Sequence, residues 1–302
     1  LGVSFYMTLD KQIRLAAFNW LSDQVEKHGD VLNRDKLRQG FEFKGTRIPL
    51  VSPQGIFKPK QLDLPLTITT SPKGPYKDSF DENDFLLYKY RGTNPMHRDN
   101  IGLRKCMQKE IPLIYFHGVV PSKYLAVWPV YIIGDNPNTL TFKVAADNQY
   151  EIEYDENKLK EENNYRRAYI TSTVKRRLHQ RGFRERVMAA YQSQCAFCQL
   201  KHAELLDAAH IIPDNEDKGV PSVNNGLALC KIHHAAFDQH IIGVSPDYQI
   251  KVKDNVLREK DGPMLKHGIQ ELQDQKLILP KSKKAWPKQE FLEVRYQEFQ
   301  NT

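Results

Sequence analysis

Cysteine is scarce in this sequence, with four in 302 residues. So few in so long a chain exclude a disulfide framework as the source of stability. Long apolar runs are also missing. None approaches the roughly 20 residues that a membrane-spanning helix needs. The start of the chain lacks the charged-then-apolar pattern of a secretory leader, so the expectation is a cytoplasmic protein without membrane contact. No internal repeat and no low-complexity tract is present, which argues against a repeat architecture.

What remains is ordinary globular material. Hydrophobic residues make up 40% and charged residues 27%. The length suits two domains, each able to bury its own core. Leu1 to Tyr6 precede Met7 and read as a vector remnant outside the fold. The net charge of +7 and a pI near 9.0 fit a polyanionic partner, although overall charge says little by itself. Its distribution is more specific: Arg166 to Arg186 contains eight Lys or Arg and a single acid, Glu185.

Apolar residues recur at helical spacing from Leu9 to His28 (Ile13, Ala16, Ala17, Trp20, Leu21, Val25), and a second short helix is expected over Arg34 to Gln39. Gly40 to Ile48 alternates as a strand does. Short strand-like runs follow at Leu64–Thr70, Phe85–Tyr90, Ile111–Val119, Trp128–Gly134 and Thr139–Ala145, with a helix over Arg98–Lys109. Residues 148 to 165 are polar and acidic and read as a linker or frayed edge. Phe183–Ser193 reads as helix, Val244–Val252 as strand and Gln289–Gln300 as a terminal helix.

Three of the four cysteines fall in one short segment. Cys195-Ala-Phe-Cys198 is answered about thirty residues later by Cys230-Lys-Ile-His233. Two ligand pairs, each separated by two residues, suit a tetrahedral zinc ion, because each pair converges from one tight turn. A redox-active Cys-x-x-Cys would leave the second pair unexplained. Four protein ligands leave no open position, so the expected zinc is structural and substitutes for a core too small to stand alone.

Between and beyond these pairs lie Asp207-Ala-Ala-His210-Ile-Ile-Pro213, then Asn225-Gly-Leu-Ala-Leu-Cys230, then His233-His234-Ala-Ala-Phe237-Asp238. A His on a strand, an Asn fifteen residues on and a His nine beyond it, threaded through zinc pairs, resemble the HNH endonuclease superfamily. The resemblance covers about forty-five residues. It implies a ββα-metal module in which His210 is the general base, Asn225 ties the loop and orients that base, and His234 is a helix-borne ligand of a catalytic Mg²⁺ or Mn²⁺. Phosphodiester hydrolysis asks for these groups. A neutral imidazole can deprotonate water near pH 7, and a hard divalent ion stabilises the charge on the phosphate and the departing 3′ oxygen. Many members of that family place an acidic metal ligand directly before the base, where this chain has Ala209. Asp207 points to the same side of a strand as Ala209 and is the first candidate. Asp238, one helical turn from His234, is the rival. His179, His202 and His240 lack such a setting and read as ordinary polar residues.

The first half holds a fainter pattern. Leu66 to Ser71 leads to Gly74-Pro-Tyr76-Lys-Asp78. Asp84 to Tyr90-Arg-Gly92 then leads to Asp99-Asn100-Ile-Gly-Leu103, followed by Ile111 to Tyr115 and Tyr131-Ile-Ile. That order resembles the SET- and RING-associated (SRA) domain, which flips a modified base into an aromatic pocket. The resemblance implies an SRA-like β-barrel with Tyr76 and Tyr90 sandwiching the base and Asp78 beside it. The family often has a second acid next, where this chain has Ser79. Tyrosines at strand ends also commonly fill a core, and that alternative stays open.

The combined expectation is an α+β protein. Residues 7–147 form the SRA-like reader with a helical lead-in, 148–182 a polar then basic linker, and 183–302 the zinc-stapled HNH nuclease. Arg166, Arg167, Lys175, Arg176, Arg177 and Arg181 are expected on the DNA backbone. The pairing resembles bacterial modification-dependent (Type IV) restriction endonucleases. The implied partner is double-stranded DNA carrying modified bases, with modified cytosine foremost and a homodimer plausible. Two other readings stay open. In one, the N-terminal half recognises unmodified sequence, a modified backbone or a protein. In the other, the chain is a catalytically inactive zinc-stapled DNA binder.

Overall fold

A computed structural model describes residues 7–71, 79–147, 160–214, 216, 219–260 and 262–302, with backbone alone over 160–165. Two compact units meet between Arg181 and Gly182.

The first unit opens with α1 (Leu9–His28), capped by the Thr8 side chain on the Lys11 amide and ended by Gly29 at φ 79°. Ile13, Ala17 and Leu21 form its buried stripe at four-residue spacing. Next come β1 (Val31–Asn33), α2 (Arg34–Gln39) and the hairpin β2 (Phe41–Phe43) and β3 (Thr46–Ile48). The expected single strand over Gly40–Ile48 is therefore two, with the turn at Lys44-Gly45. A mixed sheet follows: β4 (Ile56–Phe57), β5 (Thr67–Thr70), β6 (Ser79–Phe80), β7 (Leu86–Lys89), then α3 (Arg98–Gln108), β8 (Leu113–Val120), β9 (Lys123–Asn136) and β10 (Thr141–Ala146). Its order is β4-β5-β8-β9-β10-β7-β6, with β1 added on β9 and β5 parallel to β8.

Side chains of β8 alternate between two cores, as strand geometry requires. Ile114 and Phe116 join α1 and Trp128. Leu113 and Tyr115 join Leu103 and Cys106 of α3. Buried Arg14 of α1 ties the unit together by donating to the Pro65 and Pro112 carbonyls while pairing with Asp10.

The expected barrel does not close. Among the described residues the sheet is an open path whose ends, β4 and β6, are two residues long, and strands so short carry too few ladder bonds to pair around a barrel. The linker expectation also changes. From Lys160 the chain is helix, and α4 (Lys160–Ala190) runs through the basic stretch and past the unit boundary. Ile170, Val174 and Leu178 recur every fourth residue and pack on the core shared with Tyr115. That stripe makes the segment a helix despite its charge.

The second unit contains β11 (Leu206–His210), β12 (Gly226–Cys230), α5 (Lys231–Asp238), β13 (Ile242–Val244), β14 (Ile250–Val252), α6 (Asp254–Arg258), α7 (Pro263–Gly268) and α8 (Gln289–Asn301). The expected strand Val244–Val252 is again a hairpin. The core collects Phe183 and Val187 from α4, Leu206, the whole of β12, Phe237 and Leu292. β12 is buried along its length, which explains its continuous apolar sequence. Among the described residues no helix is long and apolar enough to cross a membrane.

Candidate active site and metal centre

β11 and β12 pair antiparallel, with His210 opposite Gly226 and Leu206 opposite Cys230. α5 starts directly after β12. Its buried residues His233, Ala236 and Phe237 lie at i, i+3 and i+4, so His234 and Asp238 share another face. This is a ββα unit, and the two ends of the hairpin serve different sites.

At the Cys230 end, Cys195, Cys198, Cys230 and His233 bring one donor atom each to within 4.8 Å of one another. A tetrahedral ion about 2.0–2.3 Å from each donor sets sulfur–nitrogen separations of roughly 3.5 Å. His233 Nδ1 lies 3.5 Å from the Cys195 sulfur and 3.3 Å from that of Cys230. The far ring nitrogen, Nε2, donates to the Gly268 carbonyl at 2.7 Å, which leaves the Nδ1 lone pair for a metal. Hydrogen bonds from Cys198 and Cys230 hold the Cys195 thiol well below its ordinary range, and contact with Cys195 pushes Cys198 up. Sulfurs this close cannot all be thiolates unless a cation shares their charge. Donor set, spacing and outer hydrogen bond all fit a structural metal ion. Among the described residues no other group of three or more His, Cys, Asp or Glu gathers so tightly.

At the other end, His210 stacks on Phe183 of α4, with centroids 3.9 Å apart and rings 12° from parallel. Gly226 makes this possible. A Cβ there would stand 2.8 Å from the Phe183 ring and 2.5 Å from Val187, so a larger residue would displace the ring that stacks on His210. The His210 Nε2 is buried and has no hydrogen-bond partner among the described residues. Burial holds this imidazole below its ordinary value of 6.5, with Asp214 pulling up and His234 pushing down from a distance. The ring is therefore neutral at pH 7, as a general base must be.

His234 stands between the two rival carboxylates. Its Nδ1 is 3.9 Å from Asp207 and its Nε2 3.3 Å from Asp238. A neutral imidazole has one lone pair, so a metal on one nitrogen takes one Asp as neighbour and leaves the other to accept the ring N–H. An imidazole with carboxylate oxygens is a donor set for a divalent metal ion. Asn225 is fully buried. Its side chain accepts from the Ile212 amide and donates to the carbonyls of Ile212 and Val220, closing the loop between β11 and β12.

These positions decide the comparison with known proteins. Residues 195–245 match the family model HNH_2, described as HNH endonuclease. This ββα module is an HNH endonuclease domain. The chain is accordingly a metal-dependent DNA endonuclease. No curated protein matches the sequence. Among solved structures, a "Modification dependent TagI restriction endonuclease" is similar at 13% identity, covering 78% of this chain and 81% of that one, with a TM-score of 0.27. At that score the two do not superpose well enough to establish a shared fold.

Three groups supporting the HNH domain have no signature of their own in the sequence: Phe183 under His210, Arg184 and Arg295. Arg184 binds the Leu206 carbonyl at 2.8 Å and sits 3.9 Å from Asp207. Arg295 of α8 donates to the Phe237 carbonyl at the end of α5 and sits 3.9 Å from Asp238. All three reach the site from distant segments, so no local spacing announces them.

Elsewhere the expected residues fare differently. Tyr76 and Asp78 lie outside the described residues. Tyr90, the other expected wall of the base pocket, is buried. It is 1% exposed, its ring packs 4.5 Å from Phe142, and its hydroxyl is bound by Asp135 and Arg104. The aromatic at a strand end fills the core here. The basic stretch is largely spoken for: Arg166 and Arg167 pair with Asp147, Lys175 with Asp84 and Arg181 with Asp30, while Arg177 donates to the Ala126 carbonyl. Arg176 alone of the six has no partner among the described residues. The sequence showed the cations close together but not the acids brought to them from distant strands. His202 is exposed, His179 meets the edge of Phe80, and neither joins a site.

Proposed function

We propose that the chain is a modification-dependent restriction endonuclease, in which His210 activates water and the N-terminal unit selects DNA carrying a modified base, with modified cytosine the foremost candidate. The observation that carries the catalytic part is the placement of a neutral, partly buried His210 on the hairpin of a ββα module whose helix offers His234 flanked by two carboxylates.

His210 would take the proton from water attacking the phosphorus. Phe183 and Gly226 fix the ring plane, and Asn225 fixes the loop leaving the strand. His234 with Asp207 or Asp238 would hold a Mg²⁺ or Mn²⁺ ion. When bound, that ion supplies charge stabilisation at the scissile phosphate and the departing 3′ oxygen. The Cys195, Cys198, Cys230 and His233 cluster would hold zinc, which anchors both ends of the module. One such site cuts one strand, so a double-strand break calls for two copies acting together as a homodimer.

The reader role rests on the order of motifs from Leu66 to Tyr131. Tyr76 and Asp78 would contact the base. β5, which precedes that segment in the sequence, ends in a polar chain in which the Tyr115 hydroxyl lies 3.0 Å from Thr70 and 2.9 Å from His117 Nδ1. The burial of Tyr90 favours a second reading, in which the N-terminal unit recognises unmodified sequence, a modified backbone or a protein partner. Incubation of the full chain and Mg²⁺ with unmodified, 5-methylcytosine and 5-hydroxymethylcytosine plasmid separates the two. Cutting confined to a modified plasmid is the expected result. Equal cutting of all three would leave the second reading.

A further inference from the structure

The HNH unit has no net charge with which to attract DNA. Residues 182–302 carry 16 Lys or Arg and 16 Asp or Glu. Its cations are nevertheless unevenly placed. From Lys276 to Gln289 there are five lysines and no acid. We infer that the loop 281–288 is a clamp for the phosphate backbone of the DNA being cut. The inference rests on the chain acting on DNA and goes beyond the catalytic site itself.

The loop is built rather than loose. The Trp286 indole donates to the Pro280 carbonyl at 2.8 Å, and its ring meets Tyr248 edge to face. Tyr248 also donates its hydroxyl to the Pro287 carbonyl at 3.1 Å. The Asn224 side-chain amide donates to two loop carbonyls, Lys284 at 2.9 Å and Trp286 at 2.7 Å, and the Lys288 amide returns a bond to the Asn224 carbonyl. The side chains of Lys281, Lys283 and Lys284 are left exposed, with no carboxylate within salt-bridge distance among the described residues. Lys288, by contrast, is paired with Glu290.

Position gives the loop its meaning. Asn224 immediately precedes Asn225, which closes the loop leaving the His210 strand. Gly226, next in line, is the ladder partner of His210. One Asn therefore fastens the loop backbone at Lys284, Trp286 and Lys288, and its neighbour fastens the base-bearing hairpin. Cations on a fixed backbone beside the catalytic loop are suited to bind phosphates on either side of the scissile one. Such contacts carry no sequence information but set register and affinity. Pre-ordering of the loop means that little backbone entropy is lost when they form.

The test is a titration of a labelled unmodified DNA duplex, in the absence of divalent ions, with the full chain and with Lys281→Ala/Lys283→Ala/Lys284→Ala. Salt is varied between about 50 and 200 mM. Each phosphate contact contributes about 0.9 to the log–log salt slope, so the variant should be shallower by roughly 2–3, and the wild-type advantage should shrink by about 40-fold across that range. The corresponding Lys→Arg variant should keep the wild-type slope. Equal slopes for wild type and a folded Ala variant would overturn the clamp, as would a wild type whose binding ignores salt. If the Ala variant melts early, the pair Lys283→Gln/Lys284→Gln against Lys283→Arg/Lys284→Arg decides by the same slope. Cutting in Mg²⁺ is scored separately. A wild type that binds with a steep slope but cuts no DNA would remove the nuclease assignment and leave the clamp standing.

Discussion

Tyr90, the residue after β7, and His210, the last residue of β11, are both rings at strand ends, and both are candidates for function from their sequence setting. The environment separates them. Tyr90 has its hydroxyl satisfied by Asp135 and Arg104 and its ring covered by Phe142. Tyr90→Ala should therefore act as a core truncation. The expected loss is roughly 3–5 kcal/mol, by analogy with other large aromatic deletions. Binding to modified and unmodified DNA should fall in parallel, read from paired titrations beside a thermal melt. A selective loss of modified-DNA binding with an unchanged melt would return Tyr90 to the reader. His210 differs in having a buried nitrogen that no described residue satisfies. Its depressed pKa fixes the sign of the pH dependence. The neutral base persists as pH falls below the ordinary 6.5, and activity is lost only on crossing the lower folded-state value. The same shift makes the unfolded chain the better proton binder, so its contribution to stability is full above 6.5 and is lost as pH falls through the folded-state value. The acid limb of the cleavage rate should thus lie below 6.5. A limb above it would mean that another group is the base.

At the scale of elements, the parts most legible in the sequence were those with local spacing. The two ligand pairs of the metal cluster, the His-Asn-His series and α1 each carry their geometry in a few residues. What the sequence hid was non-local. α4 was masked by its arginines and lysines, although Ile170, Val174 and Leu178 mark its buried face. The barrel was expected from an order of strands, but order does not determine closure, and two-residue edges leave the sheet open. Phe183, Arg184 and Arg295 were invisible because each meets the site from another part of the chain. The metal cluster gives the clearest prediction at this scale. It joins the turn at Cys195, the end of β12 and the start of α5, so its loss should release all three. Metal analysis should find about one zinc per chain, and either a strong chelator or Cys230→Ser should abolish the cooperative melt of the second unit. A metal-free protein that still melts cooperatively and cuts DNA would contradict the structural role.

For the whole molecule, the distribution of charge and of labour run together. The excess positive charge lies before Gly182, since the HNH unit is balanced, yet half of the eight cations in the basic run of α4 are paired with Asp147, Asp84 and Asp30. DNA affinity is thus expected to draw on exposed cations outside that run. In the proposed function, selection of a modified base belongs to the first unit and hydrolysis to the second. The claim on which everything else depends is that the ββα module hydrolyses DNA with His210 as its base. It is tested most directly by Mg²⁺-dependent cleavage of the best-cut of the three plasmids, comparing wild type with His210→Ala at matched DNA binding and matched thermal melt. The variant should be slower by at least about 10²–10⁴-fold while still binding and still folded, as the loss of a general base requires. A folded His210→Ala protein that cuts within tenfold of wild type would contradict the account.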